Sequence, residues 1–159
     1  MKVKIKKLHP DAVIPEYAKP GDSGFDFVAL EDTKIYPGQT KLVKTGIAVE
    51  IPEGFELQVR PRSGTSLKTP LRVANAPGTV DSGYRGECCV ILTNTTGIEK
   101  HAVVQDEQAV IVGGEIQYIK KGDRIAQGVI CPVIRAEFEV VEELSNSERG
   151  VGGFGSTGK

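Results

Sequence analysis

Five stretches concentrate the side chains that could do chemistry. The last, RGVGGFGSTGK (149–159), sets Arg149, Phe154, Ser156 and Thr157 among five glycines. Glycine lets backbone N–H groups approach a polyanion closely, and consecutive N–H groups can form an anion nest. Ser156 and Thr157 add hydroxyl donors, Arg149 a planar cation suited to phosphate, and Phe154 a face on which a base can stack. Gly150, Gly152 and Gly155 match the spacing G-x-G-x-x-G, and Gly153, Gly158 and Lys159 match the start of a phosphate-binding P-loop. Both motifs need a following helix, and the sequence continues for only four residues after Gly155, so both matches are set aside. What remains is a phosphate lid or a loose glycine tail.

The other four stretches are polar clusters inside a β context. PRSG (61–64) follows a strand pattern and opens a short helix, where unpaired N–H groups bind phosphate and Arg62 and Ser63 add charge and a hydroxyl; an ordinary turn with a Ser N-cap reads the same way. In NAPGTVDSGYRGE (75–87), Asp81-Ser82-Gly83 reads as a hairpin tip. Asp81 and Tyr84 would flank a base edge there, or the tip is a solvated surface turn. KGDRIAQG (121–128) places Arg124 and Gln127 either toward a ligand or along a sheet edge. GDSGFDF (21–27) reads as a glycine-flanked loop whose Asp22 or Asp26 serves a magnesium shell or stabilises a turn. Together these segments supply arginines, hydroxyls, glycines and a few carboxylates, with no Cys–His nucleophile pair. That inventory suits water attack on a metal-bound phosphate rather than a covalent route.

The elements that must position these groups are strands. Alternating or β-branched runs fall at Lys2–Lys7, Leu42–Ile51, Phe55–Arg60, Cys88–Leu92, Ala109–Val112, Ile116–Ile119, Ile125–Ile134 and Phe138–Val141, punctuated by Pro-Gly and Gly-Gly turns. The best short helix lies near Ser63–Lys68. Many short strands and few helices predict an all-β sandwich, jelly roll or barrel. From Ser145 onward the composition turns to Ser, Asn and Gly, too polar to build a core alone. The domain is therefore expected over 1–144, with 145–159 as a C-terminal arm.

Composition narrows the function classes. With 159 residues and a 39% hydrophobic content the chain can bury one real core. A formal net charge of −1 leaves no electrostatic footprint for nucleic acid or an anionic membrane. No apolar run approaches the roughly 20 residues of a membrane span, and no apolar segment follows the basic N-terminus as a signal peptide would require. Cys88, Cys89 and Cys131 are an odd set without framework spacing, and His9 and His101 are the two histidines, so neither a disulfide scaffold nor a structural zinc site is expected. A reducing cytosolic setting fits.

In order, GDSGFDF, PRSGTS, NAPGTVDSGYRGE, GDRIAQG and RGVGGFGSTG resemble the five motifs of homotrimeric dUTPases, covering residues 21 to 158. The resemblance implies a distorted jelly-roll (β-clip) barrel with one short helix and a flexible C-terminal arm. It implies three sites at subunit interfaces, each drawing on all three chains, and hydrolysis of dUTP to dUMP and pyrophosphate with Mg²⁺. Such an enzyme limits uracil incorporation into DNA and supplies dUMP for dTTP synthesis, in the cytoplasm or, for a phage-encoded copy, the host cytoplasm. Carried over position by position, Asp81 activates the water that attacks the α-phosphorus. Asn75 and the Val80–Arg85 hairpin bind uracil, and Tyr84 packs on the deoxyribose and excludes a 2′-hydroxyl. Arg62, Ser63, Gly64 and Gln127 hold phosphate oxygens, and Asp26 orients water on the Mg²⁺ shell. From the arm, Arg149 grips the γ-phosphate, Phe154 stacks over uracil, and Gly155, Ser156 and Thr157 complete the phosphate cage.

Three departures stand out. Thr65 and Gly128 occupy positions where the family commonly has Leu, and the segment about 97–115 reads as an insertion, a candidate surface for a protein partner. Two competing functions are a dCTP deaminase on the same fold, whose glutamate-centred motif is missing, and a nucleotide-responsive binding protein that uses Ala102–Val112.

Overall fold

The computed structural model describes residues 1–97, 101–105, 108–112 and 114–153. Within them the chain forms thirteen strands and one helix. In chain order these are β1 (Lys4–Lys7), β2 (Phe25–Val28), β3 (Thr33–Ile35), β4 (Thr40–Val43), β5 (Ile47–Glu50), β6 (Phe55–Arg60), α1 (Ser63–Lys68), β7 (Leu71–Val73), β8 (Gly78–Val80), β9 (Val90–Asn94), β10 (His101–Gln105), β11 (Gln108–Val112), β12 (Gln117–Ile119) and β13 (Arg124–Pro132). The fold is all-β, as the periodicity predicts. The described strands make small separate sheets rather than a closed barrel: β2-β13-β6-β8, β4-β9-β7, and the pairs β1-β5, β12-β3 and β10-β11.

Period-2 alternation explains the core. On β6, Leu57 and Val59 are buried while Glu56, Gln58 and Arg60 are half-buried on the other face. On β9, Val90, Leu92 and Asn94 turn inward. Phe27, Ile35, Val43 and Ile47 complete the fully enclosed set. Asn94 is a fully buried polar residue, and every polar atom of its side chain is used. Its Nδ2 donates to the carbonyls of Ile35 (3.0 Å) and Glu115 (2.9 Å), and its Oδ1 accepts from the Thr96 N–H (3.0 Å) and hydroxyl. It thereby pins both ends of the 97–115 segment to the core. Within that segment β10 and β11 pair as an antiparallel ribbon from His101↔Val112 to Gln105↔Gln108.

Several expectations need correction. Leu42–Ile51 is two strands in different sheets: the chain turns at 44–46, where the carbonyls of Lys44 and Gly46 accept from Leu30 and Leu8. Phe138–Val141 is not a strand in this chain; Phe138 and Val140 are 93% and 99% exposed, with no partner strand among the described residues. The Asp81-Ser82-Gly83 turn exists, closed by Tyr84 N–H donating to the Asp81 carbonyl (3.0 Å), but it is not a hairpin tip. Its flanking strands β8 and β9 enter different sheets, because β8 pairs with β6 and β9 with β4 and β7. Within GDSGFDF, Asp26 stands on strand β2 rather than in a loop.

Candidate active site

The long strand β13 is the spine of the site. It pairs with β2 on one side and β6 on the other, so Asp26, Gln127 and Arg60 lie in one row across the sheet. A bulge between Arg124 and Ala126 shifts the register at its start, a device that re-aims a side chain. Arg124 there donates from one guanidinium nitrogen to Asp26 Oδ2 at 3.1 Å. The other Asp26 oxygen, Oδ1, lies 2.7 Å from Arg62 Nε. Arg62 also donates to the Arg124 carbonyl (3.2 Å), and Gln127 Nε2 donates to the carbonyl of Pro61 (2.9 Å). One carboxylate thus holds two guanidinium groups together, and the amide of β13 fixes the link leading into α1.

The start of α1 completes this wall. Arg62, not Ser63, is the N-cap, in extended conformation (φ −88°, ψ 135°) and without a side-chain cap bond, since a guanidinium has no acceptor to offer; its side chain pairs with Asp26 instead. The first-turn N–H groups of a helix have no intrahelical partner. Ser63 and Gly64 line a cleft of about 400 Å³ together with Asp26, Arg62, Arg124 and Gln127. Glu16 and Asp22 also border it. Asp22 is the turn-stabilising carboxylate of the pair weighed above, its Oδ2 accepting from the Lys19 N–H at 2.8 Å. The cleft offers an anion two guanidinium groups, helix-end N–H groups, a hydroxyl and an amide.

Asp81 is elsewhere. With Ser82, Gly83 and Arg85 it lines a second cleft of about 570 Å³, walled by Phe55, Val133 and Arg135. Arg85 closes the turn by donating to the carbonyls of Ser82 (2.6 Å) and Tyr84 (2.9 Å). Val80 ends β8 opposite Leu57, and Asn75 is exposed in the connection before it. Tyr84 is 47% exposed. Arg149 lines neither cleft; its Nε donates to the Gly152 carbonyl (2.9 Å) in a local turn. Phe154, Gly155, Ser156 and Thr157 lie outside the described residues. A single chain therefore assembles Asp26, Arg62, Ser63, Gly64 and Gln127 in one place, and presents the Asp81 turn in another.

Arg124 lines the same cleft as Arg62 and Gln127, whereas the sequence left it, like Gln127, between a ligand contact and an edge position. The signal that could have promoted it is the Gly-Asp turn immediately before it, which feeds β13 into the cleft. The adjacent pair Cys88 and Cys89 is poorly disposed to act as a nucleophile: burial pushes the Cys88 thiol up to about 11, and burial with the neighbouring Glu87 carboxylate does the same for Cys89, also to about 11. Among the described residues no group of three or more His, Cys, Asp or Glu side chains could hold a metal ion.

Cleft and turn define a class: an all-β protein with a polar cleft lined by two arginines and a separate carboxylate-bearing turn. The particular family follows from comparison. The chain belongs to the dUTPase family, whose model matches residues 11–104 and 109–158. The stretch left out between these two ranges, 105–108, begins with the last residue of β10 and ends with the first of β11. The deoxyuridine 5′-triphosphate nucleotidohydrolase of Nautilia profundicola is 50% identical over 159 residues, covering 100% of both chains. That of Gloeothece citriformis is 48% identical over 158 residues, 99% of this chain and 97% of the relative. Among solved structures, the dUTPase of Staphylococcus bacteriophage 80alpha with dUPNHPP is 33% identical with a TM-score of 0.86, covering 99% of both chains. A mutant dUTPase from phage phi11 of S. aureus, described as coordinating a structural Mg(II) ion, is 29% identical with a TM-score of 0.77, covering 90% of this chain and 98% of that one.

Proposed function

We propose that this chain is a cytoplasmic dUTP diphosphatase that works as a homotrimer, hydrolysing dUTP to dUMP and pyrophosphate. The observation that carries this reading is the division of labour within one chain. The Asp26–Arg62–Arg124–Gln127 wall suits a phosphate chain, the Asp81 turn suits a nucleoside, and the two occupy different clefts. A complete site then needs the wall of one copy and the turn of another. The exposed apolar side chains of Ile134, Phe138, Val140 and Leu144 supply surface that copies would bury.

In this reading uracil meets the backbone of Val80–Arg85 and the amide of Asn75. Tyr84 faces the sugar. The Asp81 carboxylate takes a proton from water as the oxygen attacks the α-phosphorus, and the P–O bond to the β-phosphate breaks with pyrophosphate leaving. Arg62, Ser63, Gly64 and Gln127 hold the phosphate oxygens in line, and Arg149, Phe154, Gly155, Ser156 and Thr157 close over the site from a neighbouring chain.

The residues present fit Mg²⁺ carried in on the substrate. In the phosphate cleft two guanidinium groups face three carboxylates, so the wall alone leaves a triphosphate's charge unbalanced. Mg²⁺ is commonly held by substrate phosphates and waters rather than by an all-protein cage. Bound there, it would neutralise phosphate charge and fix the conformation of the chain. Asp26 would contact it through water with the lone pairs its arginines leave free. The β10–β11 ribbon is proposed as a partner surface that coexists with catalysis.

A panel of deoxynucleoside triphosphates scored for pyrophosphate, with and without Mg²⁺, tests the assignment. Turnover of dUTP and its near-complete loss in Asp81→Ala are expected; ammonia release from dCTP would point instead to a deaminase. Retention of most kcat by Asp81→Ala would remove the base assignment. Deleting 149–159 is expected to abolish most turnover, and shortening the ribbon to leave it intact.

A further inference from the structure

Tyr84 does not stand free beside the Asp81 turn. Its hydroxyl donates to the Glu87 carbonyl at 3.1 Å, so the ring is fastened at both ends, through its own Cα and through its oxygen. Between those anchors it stands over the backbone of Gly86. A Cβ on Gly86 would fall on the hydroxyl oxygen, 2.5 Å from Cζ and 3.0 Å from Cε2. Atoms do not share such space, so a side chain at 86 would have to displace the ring and strain or break its bond to Glu87.

The far side of this seat is equally fixed. Glu87 forms a β-bridge with Ala48, and its carboxylate Oε1 accepts from the Gly46 N–H at 2.7 Å. The next residue, Cys88, donates its N–H to the Ile47 carbonyl at 2.8 Å. The backbone under the ring is therefore bolted to β5, and the height of the ring is set by residue 86 having no side chain.

We propose that Gly86 is a positioning residue for sugar discrimination: it seats Tyr84 at the one level where the ring packs on a deoxyribose and collides with a 2′-hydroxyl. This rests on the reading of Tyr84 as the sugar-facing group. A methyl at 86 lifts the ring, which weakens deoxyribose packing and opens the space that excludes ribose. The Asp81 carboxylate is not touched, so the hydrolytic step is spared. A site that discriminates through shape loses selectivity when the wall moves, even while the chemistry survives.

The test is steady-state kinetics on dUTP and UTP for the wild type, Gly86→Ala, Tyr84→Ala and the double variant. Gly86→Ala is expected to lower the ratio of kcat/KM for dUTP over UTP by about tenfold or more, with kcat on dUTP within about threefold of wild type. In the Tyr84→Ala background the same substitution is expected to change the ratio by less than about twofold, because the ring it would displace is gone. An unchanged ratio in Gly86→Ala, or an equal loss on both substrates in both backgrounds, would overturn the proposal and leave Gly86 a merely structural residue. Tyr84→Phe keeps the fold and loses only the bond to Glu87; a severalfold fall in the ratio is expected. Should Gly86→Ala fail to fold, an unchanged ratio in Tyr84→Phe overturns the proposal instead. A wild-type chain inactive on dUTP would sink the dUTP reading itself, a separate outcome.

Discussion

Gly128→Leu would restore the residue common in the family, and the structure predicts that it harms this chain. Gly128 sits opposite Phe25 in the β2–β13 ladder and opposite Val59 in the β13–β6 ladder. A Cβ there would lie 2.5 Å from Phe25 Cε2, 2.7 Å from Cζ and 2.9 Å from a Leu57 methyl. The aromatic ring fills the place that a side chain at 128 would take, as aromatics cover strand glycines elsewhere. Phe25 also meets Tyr17 and Phe27 edge-to-face, at centroid distances of 5.7 and 5.6 Å. Overpacking costs about 1–3 kcal/mol, and expelling the ring forfeits two aromatic contacts of about 0.5–1.5 kcal/mol each. Replacing a strand glycine returns about 0.5–1 kcal/mol of backbone entropy. The net loss is about 1–5 kcal/mol, centred on about 3, a fall in Tm of roughly 6–12 °C at the centre for a chain of this size. Thermal and urea denaturation of Gly128→Leu, Phe25→Ala and the pair would measure it. The double variant is expected to recover at least about 1 kcal/mol relative to the sum of the singles, since the leucine then fills the hole left by the ring. Additive losses, or a Gly128→Leu protein as stable as wild type, would refute the reasoning.

Other outcomes follow from the same geometry. Asp26→Asn leaves Arg62 and Arg124 without their shared carboxylate; kcat/KM for dUTP is expected to fall about tenfold and the Mg²⁺ titration midpoint to rise, while stability drops by about 1 kcal/mol or less because the ion pairs are partly exposed. Asn94→Ala removes a buried amide that satisfies groups from three segments, and a loss of about 2–4 kcal/mol is expected by urea denaturation. Cys88 and Cys89 hold their protons to about pH 11 in the fold, whereas unfolded thiols begin to release theirs some two units lower. Between those values the unfolded state binds fewer protons, so stability is expected to fall as pH rises through that window. Denaturation midpoints measured across it should show a limb that flattens in a Cys88→Ala, Cys89→Ala protein.

The parts of the fold that were readable in the sequence are those whose neighbours are close in composition or in chain. β6 announces itself by strict alternation, the apolar run Cys88–Leu92 overlaps β9, and α1 lies at the Ser63–Lys68 span its residues predict. β7 and β8 are three residues each, each directly after a Pro, and exist because β9 and β6 pair with them. No local pattern carries that information. Phe138–Val141 shows the reverse: its apolar residues alternate, yet among the described residues no strand receives them. The chemistry was legible as residue types, since arginine, hydroxyl and amide cluster in the motifs themselves. Their division into two clefts was not, because it depends on which sheet each connection enters. Gly86 was invisible for a related reason: its use is the space it leaves for a ring two residues away.

β13 ends at Pro132, and the exposed chain from 133 to 148 leads to Arg149. Sixteen residues reach at most about 55 Å when extended. In the proposed homotrimer this length would act as a tether, holding the arginine near a neighbour's cleft at a local concentration of order millimolar. Closing over the substrate would then be a first-order event, its rate set by linker length and stiffness and untouched by dilution. Lengthening or shortening 133–148 would tune how often the site is covered without altering a single residue that touches the nucleotide.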